Sequence, residues 1–275
     1  MNTDQKTNFS LHINVTDILL TPLSCSSLVS EVLKGVLYQK SQIPYTYDCM
    51  RTLVTRKRQK TEGEKVDIRA ANYFHLVSGV FDKLELAMLE LKNEFSHWKS
   101  GIREVLIVFG TTPVTANEVF SIKFSSLVEG HNERNHILQL NQYQKKILRK
   151  LFLSQDWLDR IEGSSTCTNI FLYILKTRVN SDSLAEQSVF VPTNPVNFSP
   201  KMKRTNIIFK SSNVLDTNCC DNVEIFDDVN EKSCSVNDVC DTEQAETDVD
   251  WYKFKDLVKG FKDCFVNKRS LSELW

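Results

Sequence analysis

The chain has 275 residues, 41% of them hydrophobic, and its 34 lysines and arginines nearly balance 35 aspartates and glutamates for a net charge of -1. A chain of this size can bury one core of roughly 200 residues plus a tail, and the near-neutral balance gives no global field that would select nucleic acid or an acidic membrane surface. No apolar run reaches the length of a membrane span, and the patch Ile18 to Leu20 is interrupted by Thr21 and Pro22, so no secretory signal is expected.

In chain order, residues 1–23 read as an N-terminal extension and residues 24–210 as the folded core. A first helix is expected from about Ser26 to Gln39, with Leu28, Val32, Val36 and Leu37 as its apolar stripe and Ser26 or Ser27 as cap. A shorter helix follows near Tyr47 to Val54. The basic cluster Arg56, Lys57, Arg58 and Lys60 then reads as a solvated connector rather than a nuclear-import signal or polyanion contact.

From Arg69, apolar residues recur at Ala70, Phe74, Val77, Phe81, Leu84, Met88, Leu91, Phe95 and Trp98, steps of four and three that put nine side chains on one stripe of a single long helix. Val105 to Phe109 is continuously apolar and reads as a strand buried on both faces. Val119 to Leu127 alternates Phe120, Ile122 and Phe124 with Ser121, Lys123 and Ser125, the period of an antiparallel strand with one solvated face. Helical spacing returns from Leu140 to Ile161 and ends near Gly163, Cys167 to Lys176 gives another strand, 179–200 a long loop, and Thr205 to Lys210 one more strand.

Residues 211–249 are acidic and poor in large apolar groups, so they read as a disordered linker. Order is expected again over 250–275, where Trp251, Tyr252 and Phe254 of a DWYKFKD strand would dock on the chain's own sheet.

Nothing in this sequence assembles a reaction centre. His131 and His136 are badly spaced for a metal, His75 and His97 lie on the long helix without matching ligands, and Cys219, Cys220, Cys234 and Cys240 fall on the acidic stretch. The eight cysteines lack metal-knuckle spacing and read as reduced thiols. There is no phosphate loop, dinucleotide fingerprint or nucleophile elbow, so no enzyme, cofactor or metal is expected. The feature that recurs is apolar excess on two helices: Val36 and Tyr38 on the first, and Leu148, Phe152 and Leu153 on the helix Leu140 to Ile161. Such an excess suits a partner interface.

The order helix, long helix, buried strand, amphipathic strand, helix, strand resembles the HORMA fold. Four strings are similar to one branch of it, the comet-type Mad-two-binding family: SEVLKGVLYQKSQIPYTYDCM, REVLIVFGTTPVTANEVFSIKFSSL, LRKLF and DWYKFKDLVKGFKD. The resemblance covers about Ser24 to Arg178 and Asp250 to Asp263, while 180–249 has no counterpart in it. It implies an α+β HORMA-like fold, with three main helices on an antiparallel sheet and a safety-belt-like C-terminal segment. It also implies a non-enzymatic adaptor that binds the closed conformer of the spindle-checkpoint HORMA protein and presents it to an AAA+ ATPase for opening. Gln39, Tyr38, Leu148 and Phe152 would carry that contact, with Leu148 standing where the family has a bulkier aromatic. The setting implied is the nucleus and cytoplasm, and the spindle and kinetochores in mitosis, without nucleic-acid or membrane partners. The runner-up reading is another HORMA adaptor, of a DNA-repair polymerase or the meiotic axis, that captures a closure-motif peptide.

Overall fold

The computed structural model describes residues 8–16, 18–59, 67–98, 101–125, 133–162, 166–177, 189–211, 249–266 and 268–274. Its elements in order are β1 (Asn8–Val15), α1 (Pro22–Gln39), α2 (Tyr47–Gln59), α3 (Ile68–Trp98), β2 (Ile102–Gly110), β3 (Ala116–Phe124), α4 (Glu133–Phe152) and α5 (Gln155–Ile161). After these come β4 (Asn169–Thr177), β5 (Phe190–Thr193), β6 (Lys203–Ser211), β7 (Val249–Phe254), β8 (Val258–Lys259), the hairpin β9 (Phe265–Val266) and β10 (Arg269–Ser270), and a 3-10 turn, Leu271–Leu274.

The main sheet runs β1-β6-β3-β2-β4-β7-β5, with β8 paired to the start of β4. Central β2 is buried on both faces for a visible reason. Val105, Ile107 and Phe109 enter the core beneath the helices, and Leu106 and Val108 join Val119, Phe171, Tyr173 and Met202 on the opposite face. That second face is roofed in part by Val196, Phe198, Trp251 and Leu257. α3 lays its stripe on the first face, with Val77, Leu84, Leu91 and Phe95 almost wholly buried.

The α+β, HORMA-like expectation therefore describes the molecule, and several details of it change. The sheet is mixed rather than antiparallel: β6 runs parallel to both β1 and β3. The chain reaches β6 across the second face, where Val196, Phe198 and Met202 pack, and so enters it from the end at which β3 begins. Residues 8–15 are not an extension outside the core but an edge strand, with Leu11, Ile13 and Val15 buried and Ser10, His12 and Asn14 turned out.

α1 begins a turn earlier than expected. Thr21 caps it by accepting from the Ser24 N–H at 3.3 Å, Pro22 supplies the first turn, and Ser26 spends its hydroxyl on the Leu23 carbonyl. α2 runs on through the basic cluster, so Arg56, Lys57 and Arg58 sit in its last turn, where cations suit the helix dipole. Arg58 also grips Asp82 of α3 with contacts of 2.9 and 2.7 Å. The long loop over 179–200 contains β5, which pairs with β7.

β3 has no solvated middle. Ser121 is buried and donates to Glu104, which also pairs with Arg204 at 2.7 Å.

The C-terminal segment is bound along its length. β7 pairs antiparallel with β4, matching Ile174 to Tyr252 and Leu175 to Trp251. Phe254 is buried against Phe190, with ring centroids 5.5 Å apart, while Trp251 turns to the second face. Beneath β7, Lys176 and Glu94 form a buried pair at 2.7 Å, with the ammonium 4.0 Å from the centre of the Tyr252 ring. The acidic linker expected over 211–249 lies outside the described residues except at its ends, Ser211 and Val249, which are strand residues.

Candidate partner-binding surface

The surface is built where α1 ends. Lys40 caps the helix, and Ser41 takes a left-handed conformation, φ 54°. Its N–H reaches the Tyr38 carbonyl at 2.9 Å while that of Gln42 reaches Leu37 at 2.9 Å, the pair of bonds that closes a Schellman motif. This stop leaves Tyr38 and Gln39 on the last turn.

The single helix expected over Leu140 to Ile161 is two helices. α4 ends at Phe152 and α5 starts at Gln155, because the Ser154 hydroxyl accepts from the Trp157 N–H at 3.3 Å and caps a new helix there. The sharp turn drives Trp157 into the interior, wholly buried against Phe120 at 5.8 Å and Phe152 at 5.4 Å between ring centroids.

The four residues expected to bind a partner are divided by this arrangement. Tyr38 is 47% exposed. Gln39 is half-buried and its side-chain oxygen accepts from the Trp157 indole N–H at 2.9 Å. Leu148 is half-buried and leans on the core. Phe152 is half-buried too, its ring lying over Gly35 so closely that a Cβ on that glycine would run into it.

Two of these positions, Gln39 and Phe152, meet at Trp157, and Tyr38 precedes Gln39 on the last turn of α1. The large side chains left in solvent are Leu153 at 69% and Leu158 at 39%, one beside Phe152 and the other beside Trp157. Val36 is wholly buried and belongs to the core. Helical spacing alone runs straight through Leu153 and Ser154 and hides Trp157. The local signal for a fresh cap is Ser154 with an acidic residue, Asp156, in the first turn after it.

The electrostatics beneath and around this corner are cationic. Lys40 is buried with Glu118 at 2.9 Å, and Lys203 approaches the same carboxylate at 3.7 Å while donating to the Arg160 carbonyl at 2.7 Å. Burial pushes the Lys203 and Arg160 pKa values down, and Glu118 works against that fall in both. On the surface, α4 carries Lys145, Lys146, Arg149 and Lys150, all exposed. Nothing here resembles a reaction centre. Among the described residues no group of three or more His, Cys, Asp or Glu could hold a metal ion, and no helix is long and apolar enough to cross a membrane. His136, badly spaced from His131 for a metal, is a buried residue of α4.

Just past this end of α1 lies the anchor of the C-terminal segment. Gln42 is fully buried: its Nε2 donates to the carbonyls of Lys40 and Thr166, its Oε1 accepts from the Thr168 N–H, and its own carbonyl accepts from Phe261. Gly260 passes so close that a Cβ would lie 2.6 Å from Gln42 Oε1. Just beyond, Asp263 Oδ1 accepts from Tyr45 at 2.6 Å, Tyr73 at 3.1 Å, Ser270 at 2.8 Å and the Cys264 N–H at 2.8 Å. Burial first, then the hydrogen bond to Asp263, raises the Tyr45 pKa; burial also raises that of Tyr73.

Comparison with known families gives a match over most of the helical layer. The family described as p31comet: Mad1 and Cdc20-bound-Mad2 binding matches residues 15–172, more than half of the chain. The matched span runs from the end of β1 through α1, α4 and α5 into β4, and so contains the whole corner just described. No curated protein matches the chain.

Proposed function

This chain belongs to the p31comet family, a family of Mad2-binding adaptors, and from that membership we propose that it docks on the closed conformer of Mad2 through the corner formed by α1, α4 and α5. Having bound, it presents Mad2 to an AAA+ ATPase that converts it to the open form, and thereby silences the spindle checkpoint. The hydrolysis of ATP belongs to that partner, and the chain contributes binding and orientation alone. On this reading it works in the nucleus and cytoplasm, and at the spindle and kinetochores in mitosis.

The observation that carries the reading is the exposure of Tyr38, Leu153 and Leu158 side by side in sequence with residues knotted around a buried tryptophan. Apolar groups held out on a rigid base suit the centre of an interface, and the exposed cations of α4 suit its rim. The alternative of a captured closure-motif peptide draws less support, since β7 of the chain itself already pairs with β4.

The test is binding to Mad2 locked in its closed or open conformer, followed by ATPase-driven conversion. Selective binding to the closed form, with faster conversion when the chain is added, is the expected result. Equal affinity for the two conformers would overturn the reading.

A further inference from the structure

The hydrogen bond between Trp157 and Gln39 has a polarity that cannot be reversed. An indole N–H donates and never accepts, so the atom of the Gln39 amide facing it at 2.9 Å must be the oxygen. Trp157 is wholly buried, boxed in by Phe120 and Phe152 and fixed at its backbone by the Ser154 cap. The donor therefore cannot swing away, and the amide cannot flip without facing its NH2 to another N–H. With the oxygen occupied, the Gln39 NH2 group points away from Trp157, and among the described residues it has no hydrogen-bond partner. Gln39 is itself only half-buried, on the last turn of α1 beside exposed Tyr38.

We infer that Trp157 is a positioning residue that turns Gln39 into an obligatory donor, so that the docked partner must offer an oxygen acceptor, a main-chain carbonyl or a carboxylate, opposite this point. The inference rests on the docking reading above and sharpens it: the centre of the corner selects its partner by hydrogen-bond polarity as well as by apolar fit. A partner surface presenting an N–H there would leave two donors facing each other as water is expelled, which disfavours it.

The test measures affinity for closed-conformer Mad2 with Gln39→Ala, Gln39→Glu, Trp157→Phe and the double variant Gln39→Ala/Trp157→Phe, alongside melting temperature. Glutamate can still accept from Trp157 with one oxygen, but it faces the partner with a second acceptor. Gln39→Glu should therefore weaken binding at least as much as Gln39→Ala, by about ten-fold or more, while melting as the parent does. Trp157→Phe keeps the ring and loses the N–H; it should weaken binding by about five-fold alone and by nothing further once Gln39 is alanine. A Gln39→Glu penalty that shrinks with added salt marks a carboxylate acceptor, and one that does not marks a carbonyl.

If Gln39→Glu binds like the parent, or if the effects of Gln39→Ala and Trp157→Phe simply add, the inference is overturned. Should Trp157→Phe lower the melting temperature, the comparison of Gln39→Glu with Gln39→Ala decides alone, because both keep the tryptophan. A parent chain that does not bind closed Mad2 refutes the docking reading instead, which separates that failure from this one.

Discussion

The C-terminal segment and the corner of α1, α4 and α5 are both rich in large apolar residues, yet the chain treats them in opposite ways. Between Val249 and Phe261 the large aromatics are packed inward, and Phe265 at 62% exposure is the exception beyond them: Phe254 and Phe261 are buried, β7 is paired on both sides by β4 and β5, and Asp263 gathers three hydroxyls and a backbone N–H. At the corner the base is equally fixed, by Trp157, Phe120 and Gly35, but the groups resting on it are left outside. Apolar excess in a sequence thus has two destinations, and what separates them is whether strand edges and buried acceptors exist nearby to absorb it. The two regions meet at one stretch of chain, since Gln39 belongs to the corner and Gln42, three residues on, holds the C-terminal segment at Phe261.

The strongest way to break this contrast is to remove the segment that is said to be spent. Truncation after Val249 takes away Phe254, Val258, Phe261 and Leu271, all buried, and bares the edge of β4. With losses of about 3 kcal/mol or more for each buried phenylalanine, the shortened chain should melt far below the parent or associate through the exposed edge. A truncated chain that stays monomeric with the parent's melting temperature would show the segment to be a free tail.

A smaller but still large effect is expected at the buried pair that ties β4 to α3 under β7. Lys176→Met takes the ammonium away from buried Glu94, which should destabilise by about 3 to 5 kcal/mol in chemical denaturation, and Glu94→Leu in the same chain should recover most of it. Burial lowers the Lys176 pKa while Glu94 opposes the shift. Because the unfolded chain then binds more protons than the folded one in the window just below pH 10.5, this group alone makes stability rise with pH there. Lys176→Met should lose that slope.

The Asp263 cluster is expected to matter less, since each donor has its own packing. Asp263→Ala should cost about 1 to 3 kcal/mol by stripping the acceptor from Tyr45, Tyr73 and Ser270. Both tyrosines have pKa values raised above 10.0, chiefly by burial, so their contribution is intact below pH 10 and is lost as pH climbs beyond it, where only the unfolded tyrosines ionise. Denaturation followed from pH 8 to 11 should show that decline, weakened in Tyr45→Phe and Tyr73→Phe.

Which of these features could be read beforehand follows from how local their causes are. The α3 stripe and the two-faced burial of β2 were legible because one helix face and one continuous apolar run state them directly. The edge strand β1 carries its own alternation, Leu11, Ile13 and Val15 against Ser10, His12 and Asn14, but one short alternating run does not state which strand it joins. Its partner β6 lies nearly two hundred residues away, as Asn8 opposite Arg204 shows. The parallel pairings of β6, the burial of Ser121 by Glu104 and the closure of Asp263 on Tyr45 and Tyr73 depend on such distant contacts, which no local period encodes. At the corner, Gln39 could be named from resemblance alone, and Tyr38 and Phe152 from the apolar excess of their helices. That Gln39 and Phe152 converge on Trp157 depends on a helix break at Ser154, one residue of cap chemistry inside an otherwise unbroken apolar rhythm.

The smallest effect on the fold, and the one that bears most on function, is expected at the exposed leucines. Leu153 is 69% exposed, so Leu153→Ala removes little buried surface and should change stability by no more than about 0.5 kcal/mol. Tyr38→Ala, at 47% exposure, belongs to the same class. If the corner is the centre of the docked interface, each substitution should nonetheless weaken binding to closed Mad2 by about 1 to 3 kcal/mol, measured by titration calorimetry with the melting temperature unchanged. Leu138, 78% exposed near the far end of α4, is the internal control: it has the same residue type and lies on the helix that Leu153 directly follows, but sits about four turns from Leu153, and Leu138→Ala should leave affinity untouched. Equal losses at Leu138 and Leu153 would mean that the whole outer face of α4 is the contact and that the knot around Trp157 is not its centre. No loss at Tyr38 or Leu153 would mean that these side chains are simply solvated, and the contrast between a spent segment and an offered corner would fail at its second half.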